Sequence, residues 1–178
     1  MERWIALDVE TTGLSPTRHE IRELAAVPFG IDGDSTERVL HFTPGDAQRI
    51  ARPPLRARIV ELLQHIGDGA VFVAHNAVFD LAFLSEALRH ARLSFRLRAY
   101  CTLRLARTLL PDLPRYDLAS ICAAFGIEVQ NRHAALGDAR AVAALFAALV
   151  RKEGFANEQA IRRVHGPPIQ VRASWGLG

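Results

Sequence analysis

At 178 residues the chain falls within the roughly 100–200 residues of a typical single domain, and its 49% apolar and 23% charged residues are ordinary globular usage. That composition excludes a disordered, collagen-like or low-complexity chain, and with no long apolar run or basic-then-apolar leader, neither a membrane partner nor a secretory signal is expected, so a cytoplasmic setting is the simplest expectation. The net charge is +3, and of 22 basic residues 21 are arginine, Lys152 being the one lysine. Arginine clamps phosphates with paired hydrogen bonds, so nucleic acid is a compatible partner that charge alone does not require. Cys101 and Cys122 form no Cys-x-x-Cys pair, so free buried thiols are expected rather than a disulfide frame or a zinc site.

Three strand-like runs come first: Trp4 to Val9, Glu23 to Ile31 and Val39 to Thr43, with Asp32-Gly33 and Asp34-Ser35 as turn residues, which predicts a meander. Leu55, Ile59, Leu62, Leu63 and Ile66 have helical spacing up to Gly67. A buried strand follows at Val71 to Ala74, a helix at Ala77 to Ala91, and a strand near Leu97 to Cys101. The remainder reads as helices: Thr102 to Leu110, Asp117 to Phe125 with Asp117 as cap, Leu136 to Lys152, and a short one around Glu158 to Val164. Strands first and helices later, with one strand-helix-strand crossover, predict a mixed α/β fold. No repeat or linker divides the chain, so residues 1–152 are expected to form the domain and 153–178 an extension packed on it or loosely attached.

Three segments carry charge where a core should be. In WIALDVETTG, Asp8 and Glu10 stand two apart at the end of an apolar strand, which puts both carboxylates on one face. Paired carboxylates repel and resist desolvation, so cations between them would resolve the conflict. In FVAHNAVFDLAFL, Asp80 lies among apolar residues on a helix that follows His75-Asn76. In NRHAALGDARA, His133 precedes a helix and Asp138 lies five residues on. Each feature alone has an ordinary explanation, as a solvated strand end, a first-turn helix acid, a packed or surface histidine; together they are three ordered segments with four carboxylates and a histidine.

In order and spacing these segments resemble the DnaQ-like 3′ to 5′ exonucleases, the histidine-bearing (DEDDh) subgroup of the DEDD superfamily that includes the epsilon subunit of bacterial DNA polymerase III. The matching motifs are Asp8-Val9-Glu10-Thr11-Thr12-Gly13-Leu14, His75-Asn76-Ala77-Val78-Phe79-Asp80 and His133-Ala134-Ala135-Leu136-Gly137-Asp138-Ala139; Thr102-Leu103-Arg104-Leu105-Ala106-Arg107 with Leu110-Pro111 is similar too. The resemblance covers about residues 3–150 and implies a ribonuclease H-like fold, an α/β architecture with a mixed sheet of about five strands flanked by helices. It also implies that Asp8, Glu10, Asp80 and Asp138 bind two divalent cations, Mg²⁺ or Mn²⁺, and that His133 is the general base, an imidazole being a neutral acceptor near pH 7. The cations would activate a water and stabilise the leaving 3′ oxygen, releasing nucleoside 5′-monophosphates.

By the same resemblance, Thr11, Thr12, Gly13 and Leu14 hold the terminal nucleotide, with Leu14 as a wedge, and His75, Asn76 and Phe79 line the strand's path. The expected substrate is a DNA 3′ end, single-stranded or frayed, in proofreading or repair, with a polymerase as candidate partner. An exoribonuclease or oligonucleotide-degrading enzyme is the alternative within that chemistry, and a catalytically silent nucleic-acid-binding module the alternative outside it. Cys101-Thr102 departs from the family's Asp-Thr, and Gln170 to Trp175 lacks the aliphatic centre of a clamp-binding peptide. Basic residues from Arg49 to Arg58 and from Arg89 to Arg98 either guide the strand or are solvated faces.

Overall fold

In the computed structural model, residues 4–31, 40–42, 60–62, 64 and 70–173 are described. Six strands form one mixed sheet: β1 (Trp4–Thr11), β2 (Ile21–Phe29), β3 (Leu40–Phe42), β4 (Val71–Ala74), β5 (Phe95–Cys101) and β6 (Ile169–Ala173), in the order β3-β2-β1-β4-β5-β6. β1 to β3 are the expected antiparallel meander, and β4 and β5 run parallel to β1. The helices are α1 (Ala77–His90), α2 (Thr102–Leu109), α3 (Leu118–Ala124), α4 (Ala135–Glu153) and α5 (Glu158–His165). This is the ribonuclease H-like arrangement expected, with a sixth strand that the sequence reading left in the extension. Of the helix expected over Leu55 to Ile66, residues 60–62 and 64 are described and helical; the turns at Asp32 to Ser35 and the run Arg49 to Arg58 lie outside the described residues.

Alternation along the strands makes two cores. One face of β1, with Trp4 and Ala6, packs under α2 to α5; the other, with Ile5, Leu7 and Val9, packs under α1. α4 is alanine-rich where it crosses the sheet, burying Ala135, Ala139 and Ala143, and small side chains let its backbone approach closely. Trp4 and Phe146 then fill the space with ring centroids 5.0 Å apart, a contact worth about 0.5–1.5 kcal/mol beyond burial. α4 ends at Gly154 in the left-handed region, φ 63°, and α3 begins where the Asp117 side chain accepts from the Ser120 amide at 3.1 Å.

The extension joins the sheet. β6 pairs antiparallel with β5 from Phe95↔Ala173 to Ala99↔Ile169, and Ile169 and Val171 pack on the α1-side core. Its short Ile-x-Val alternation was the available signal, weak beside Pro167-Pro168. His165 is buried, accepting from the Cys101 amide through Nε2 at 3.0 Å, and the Tyr100 hydroxyl donates to Glu158 Oε1 at 2.9 Å. Both cysteines are free and buried. Among the described residues no helix is long and apolar enough to cross a membrane.

Candidate active site

The parallel strands β1, β4 and β5 finish at one edge of the sheet, the edge where open α/β sheets bind ligands. There β1 outruns β4: their pairing ends at Ala6↔Val73, while β1 continues to Thr11. Asp8 and Glu10 lie on this overhang, on the face that Ala6 and Trp4 direct toward α4, as period-two geometry predicts. A register shift between Glu10 and Thr11 ends the regular ladder with β2 at the site.

Asp80 arrives from the other layer. Asn76 turns the chain from β4 into α1 with φ 66°, a left-handed conformation asparagine tolerates, and sets Asp80 in the helix's first turn. Asp80 is buried, and its Oδ1 accepts from the Val9 amide at 3.2 Å. The carboxylate thus stands in for a strand partner beyond the end of β4 and fixes α1 to the end of β1.

His133 and Asp138 complete the group from α4. Asn131 and His133 both have positive φ, 49° and 65°, so the loop folds back on the helix start, and the His133 amide donates to Asp138 Oδ2 at 3.3 Å. Gly137 makes this approach feasible: a Cβ there would lie 2.0 Å from the Gln130 carbonyl oxygen. Glu10, His133 and Asp138 each bring a ligand atom within 4.8 Å of the others.

The electrostatics are those of crowded, partly buried carboxylates, with Arg22 and Arg132 acting only on the outer pair, Glu10 and Asp138. Burial, then Asp80, Asp138, Glu10 and Glu23, push the Asp8 carboxyl up to about 9. Burial raises Asp80 to about 7 against the Val9 hydrogen bond that lowers it. Glu10 and Asp138 are raised as well, burial being the largest cause in each. Asp8 Oδ2 is buried with no hydrogen-bond partner, the one such side-chain atom among the described residues. A buried orphan acceptor beside three carboxylates is the surrounding a divalent cation suits.

Leu14 projects into solvent with 84% of its surface exposed, on a loop whose polar groups are used internally. The Thr11 hydroxyl donates to the Gly13 carbonyl at 2.7 Å, and the Thr12 hydroxyl accepts from the Glu20 amide at 3.0 Å. Gly13 lies against the His19 ring, where a Cβ would come within 2.4 Å, so His19 sets the loop that carries Leu14. Phe79 is half-buried, its ring 4.9 Å from that of Phe83, and Asn76 is exposed. His75, expected along the strand's path, has its Nδ1 3.0 Å from the Thr102 hydroxyl and its Nε2 3.0 Å from the Tyr116 carbonyl. Both ring nitrogens are thus engaged within the protein, and the side chain ties the β4–α1 corner to the start of α2 and to Tyr116.

Sequence reasoning missed Glu23. It stands opposite Glu10 in the β1–β2 register, is buried, and borders a surface cavity of about 380 Å³ with Gln130, Asn131, Gly137 and Arg140. The available signal was a charge opening the otherwise apolar run Glu23 to Ile31, paired across a predicted meander with Glu10.

Residues 36–146 match the exonuclease family profile, RNase T type, a span that includes Asp80, His133 and Asp138 but not Asp8 or Glu10. The DNA polymerase III subunit epsilon of Aquifex aeolicus is 29% identical over 85% of this chain and 82% of its own. The PolC-type DNA polymerase III of Caldanaerobacter subterraneus is 30% identical over 84% of this chain, which spans 12% of that protein. Among solved structures, exonuclease X in complex with 5′ overhanging duplex DNA superposes with a TM-score of 0.64 at 26% identity, covering 93% of this chain and all of that one. An exonuclease I–single-stranded DNA complex from E. coli shares the fold with a TM-score of 0.69 at 20% identity, over 92% of this chain and 42% of that one.

Proposed function

The chain belongs to the exonuclease family and is a nuclease, and we propose that it removes nucleotides one at a time from the 3′ end of DNA, single-stranded or frayed, releasing nucleoside 5′-monophosphates. The observation that carries the reading is the partnerless buried oxygen of Asp8 amid Glu10, Asp80 and Asp138, with His133 beside them. Asp8, Glu10, Asp80 and Asp138 would hold two divalent cations, and their oxygen donors suit Mg²⁺ or Mn²⁺. Bound there, the cations would supply Lewis-acid stabilisation of charge at phosphorus and an activated water.

The chain's own residues do the rest. His133, exposed at the mouth of the cluster, receives the proton of the attacking water on a ring nitrogen. Asp80 holds the end of β1 through the Val9 amide, keeping Asp8 and Glu10 in register with Asp138. Leu14, rigidly presented by the Thr11, Thr12 and His19 contacts, packs against the last bases and frays them from a complement. Asn76 and Phe79 border the strand's path, and His75 holds the corner on which they stand. The likeness to an epsilon subunit over most of its length supports a proofreading or repair setting, with a DNA polymerase as the partner to test.

A time course on 5′-labelled single-stranded DNA and RNA of one sequence, with Mg²⁺, Mn²⁺ or chelator and with Asp8→Ala alongside, tests the reading. The expected result is a ladder shortening from the 3′ end of DNA, absent with chelator and in the variant. Shortening of RNA alone would move the substrate to RNA, and full activity of Asp8→Ala would overturn the site.

A further inference from the structure

On the α5 side of the sheet, five arginines stand exposed without an acidic partner among the described residues. Arg104 and Arg107 lie one turn apart on α2, a helix with no acidic residue in its first turn. Arg107 sits over the Tyr116 ring, 5.9 Å from its centroid, and the Tyr116 carbonyl is held by His75 at the site's corner. The Arg104 guanidinium lies against Gly166, at the end of α5, 3.7 Å from where a Cβ would be. Arg162, in the last turn of α5, acts electrostatically on the Tyr100 hydroxyl. Further along the same face, Arg96 of β5 stands directly opposite Arg172 of β6. Strand alternation puts both on the side of Arg98 and Tyr100, away from Leu97 and Val171.

Glu158, an acidic residue placed among them, is engaged by Tyr100 and Arg98. A like-charged pair directly across two strands is destabilising, and a row of such groups with no acidic partner among the described residues suits an external polyanion. One end of the group reaches the site, Arg107 standing over Tyr116 beside the His75 corner, and the other lies back along β5, where Arg96 is five residues, or about 17 Å, from Cys101. Arg96, Arg104 and Arg107 lie within the residues matched to the family profile, whereas α5 and β6, which carry Arg162 and Arg172, lie beyond them, so the extension adds two of the five.

We infer that Arg107, Arg104, Arg162, Arg96 and Arg172 form a phosphate track that holds the single strand upstream of the 3′ end, so that the docked extension is a substrate-binding element. The inference rests on the nuclease reading above for the identity of the strand. Its spacing and side-chain type suit backbone contacts, which bind any sequence and weaken with salt.

The test compares Arg96→Gln/Arg104→Gln/Arg162→Gln with a control, Arg89→Gln/Arg151→Gln/Lys152→Gln, that removes the same charge elsewhere. Binding of a labelled single-stranded DNA of about 20 nucleotides is followed by anisotropy in chelator, across a salt series. The track variant should bind about tenfold more weakly near 0.1 M salt, with the log–log salt slope reduced by about 2. The matching lysine variant should restore the slope, which a folding defect would not. With metal, the wild-type preference for the long strand over a dinucleotide, read as a kcat/KM ratio, should fall about tenfold in the track variant. An unchanged affinity and slope, or an equal loss in the control, would overturn the track. Absence of cleavage by the wild-type protein on any strand would instead strike the nuclease reading, since the binding arm needs no turnover.

Discussion

At the docking point of the extension, His165 and Glu158 are polar groups set into the fold with their bonds made: His165 accepts from Cys101, and Glu158 accepts from Tyr100 and pairs with Arg98. At the end of β1, Asp8 keeps a buried oxygen without a partner, and four further carboxylates raise or share its field. Burial is similar in kind, and satisfaction is opposite. A satisfied buried group stabilises the native state, whereas an unsatisfied one is tolerated where a ligand will complete it. The contrast separates residues whose bonds the fold completes from residues whose bonds it leaves open.

The largest effects should come from the unsatisfied side. Asp8→Ala or Asp138→Ala should lower turnover about 1000-fold or more, equivalent to ~4 kcal/mol of barrier, in a folded protein by circular dichroism. His133→Ala should lose about 100-fold in kcat while still binding Mn²⁺ by calorimetry. A parallel loss of metal binding would make His133 a ligand.

The pH dependence has a definite sign. Asp8 and Asp80 are raised from about 3.8 to about 9 and about 7, so the folded state holds protons that the unfolded state releases. Without metal, the melting temperature should therefore fall as pH rises from about 4 toward 9. Asp8→Asn should flatten most of that fall, and added Mn²⁺ should raise the melting temperature most at high pH. A metal-free stability that rises through this window would break the comparison.

On the satisfied side the readout is stability rather than turnover. His165→Ala, which removes an acceptor and packing from a buried place, should destabilise by about 2 kcal/mol in denaturant unfolding. Tyr100→Phe, which loses only the hydroxyl bond to Glu158, should cost about 1 kcal/mol. Neither should alter cleavage of a dinucleotide per folded molecule; loss of that cleavage would join the extension to the chemistry.

Much of this was legible in the chain. Asp8 and Glu10 betray themselves as charges at period two in an apolar strand, Asp80 as a charge within an apolar helix face, and the meander by its turn residues. Local rules suffice there, because alternation and capping act over a few residues. What escaped them depends on distant pairs. Glu23 joins the carboxylates only because β2 pairs with β1, and Gly137 matters only because Gln130 folds back upon it. His75, which the resemblance aligned with the substrate path, is spent on Thr102 and Tyr116, 27 and 41 residues away.

By itself, then, the sequence determined the periodicity of each element, the chemical types at the site and the order of the three motifs, since these follow from neighbours in the chain. Only the tertiary structure decided that β6 closes the sheet beside β5, that Arg96 stands opposite Arg172, and that a buried oxygen of Asp8 lacks a partner among the described residues. Those are properties of contacts between segments far apart in the chain, and solvation, charge repulsion and hydrogen-bond satisfaction take their values only once such segments meet.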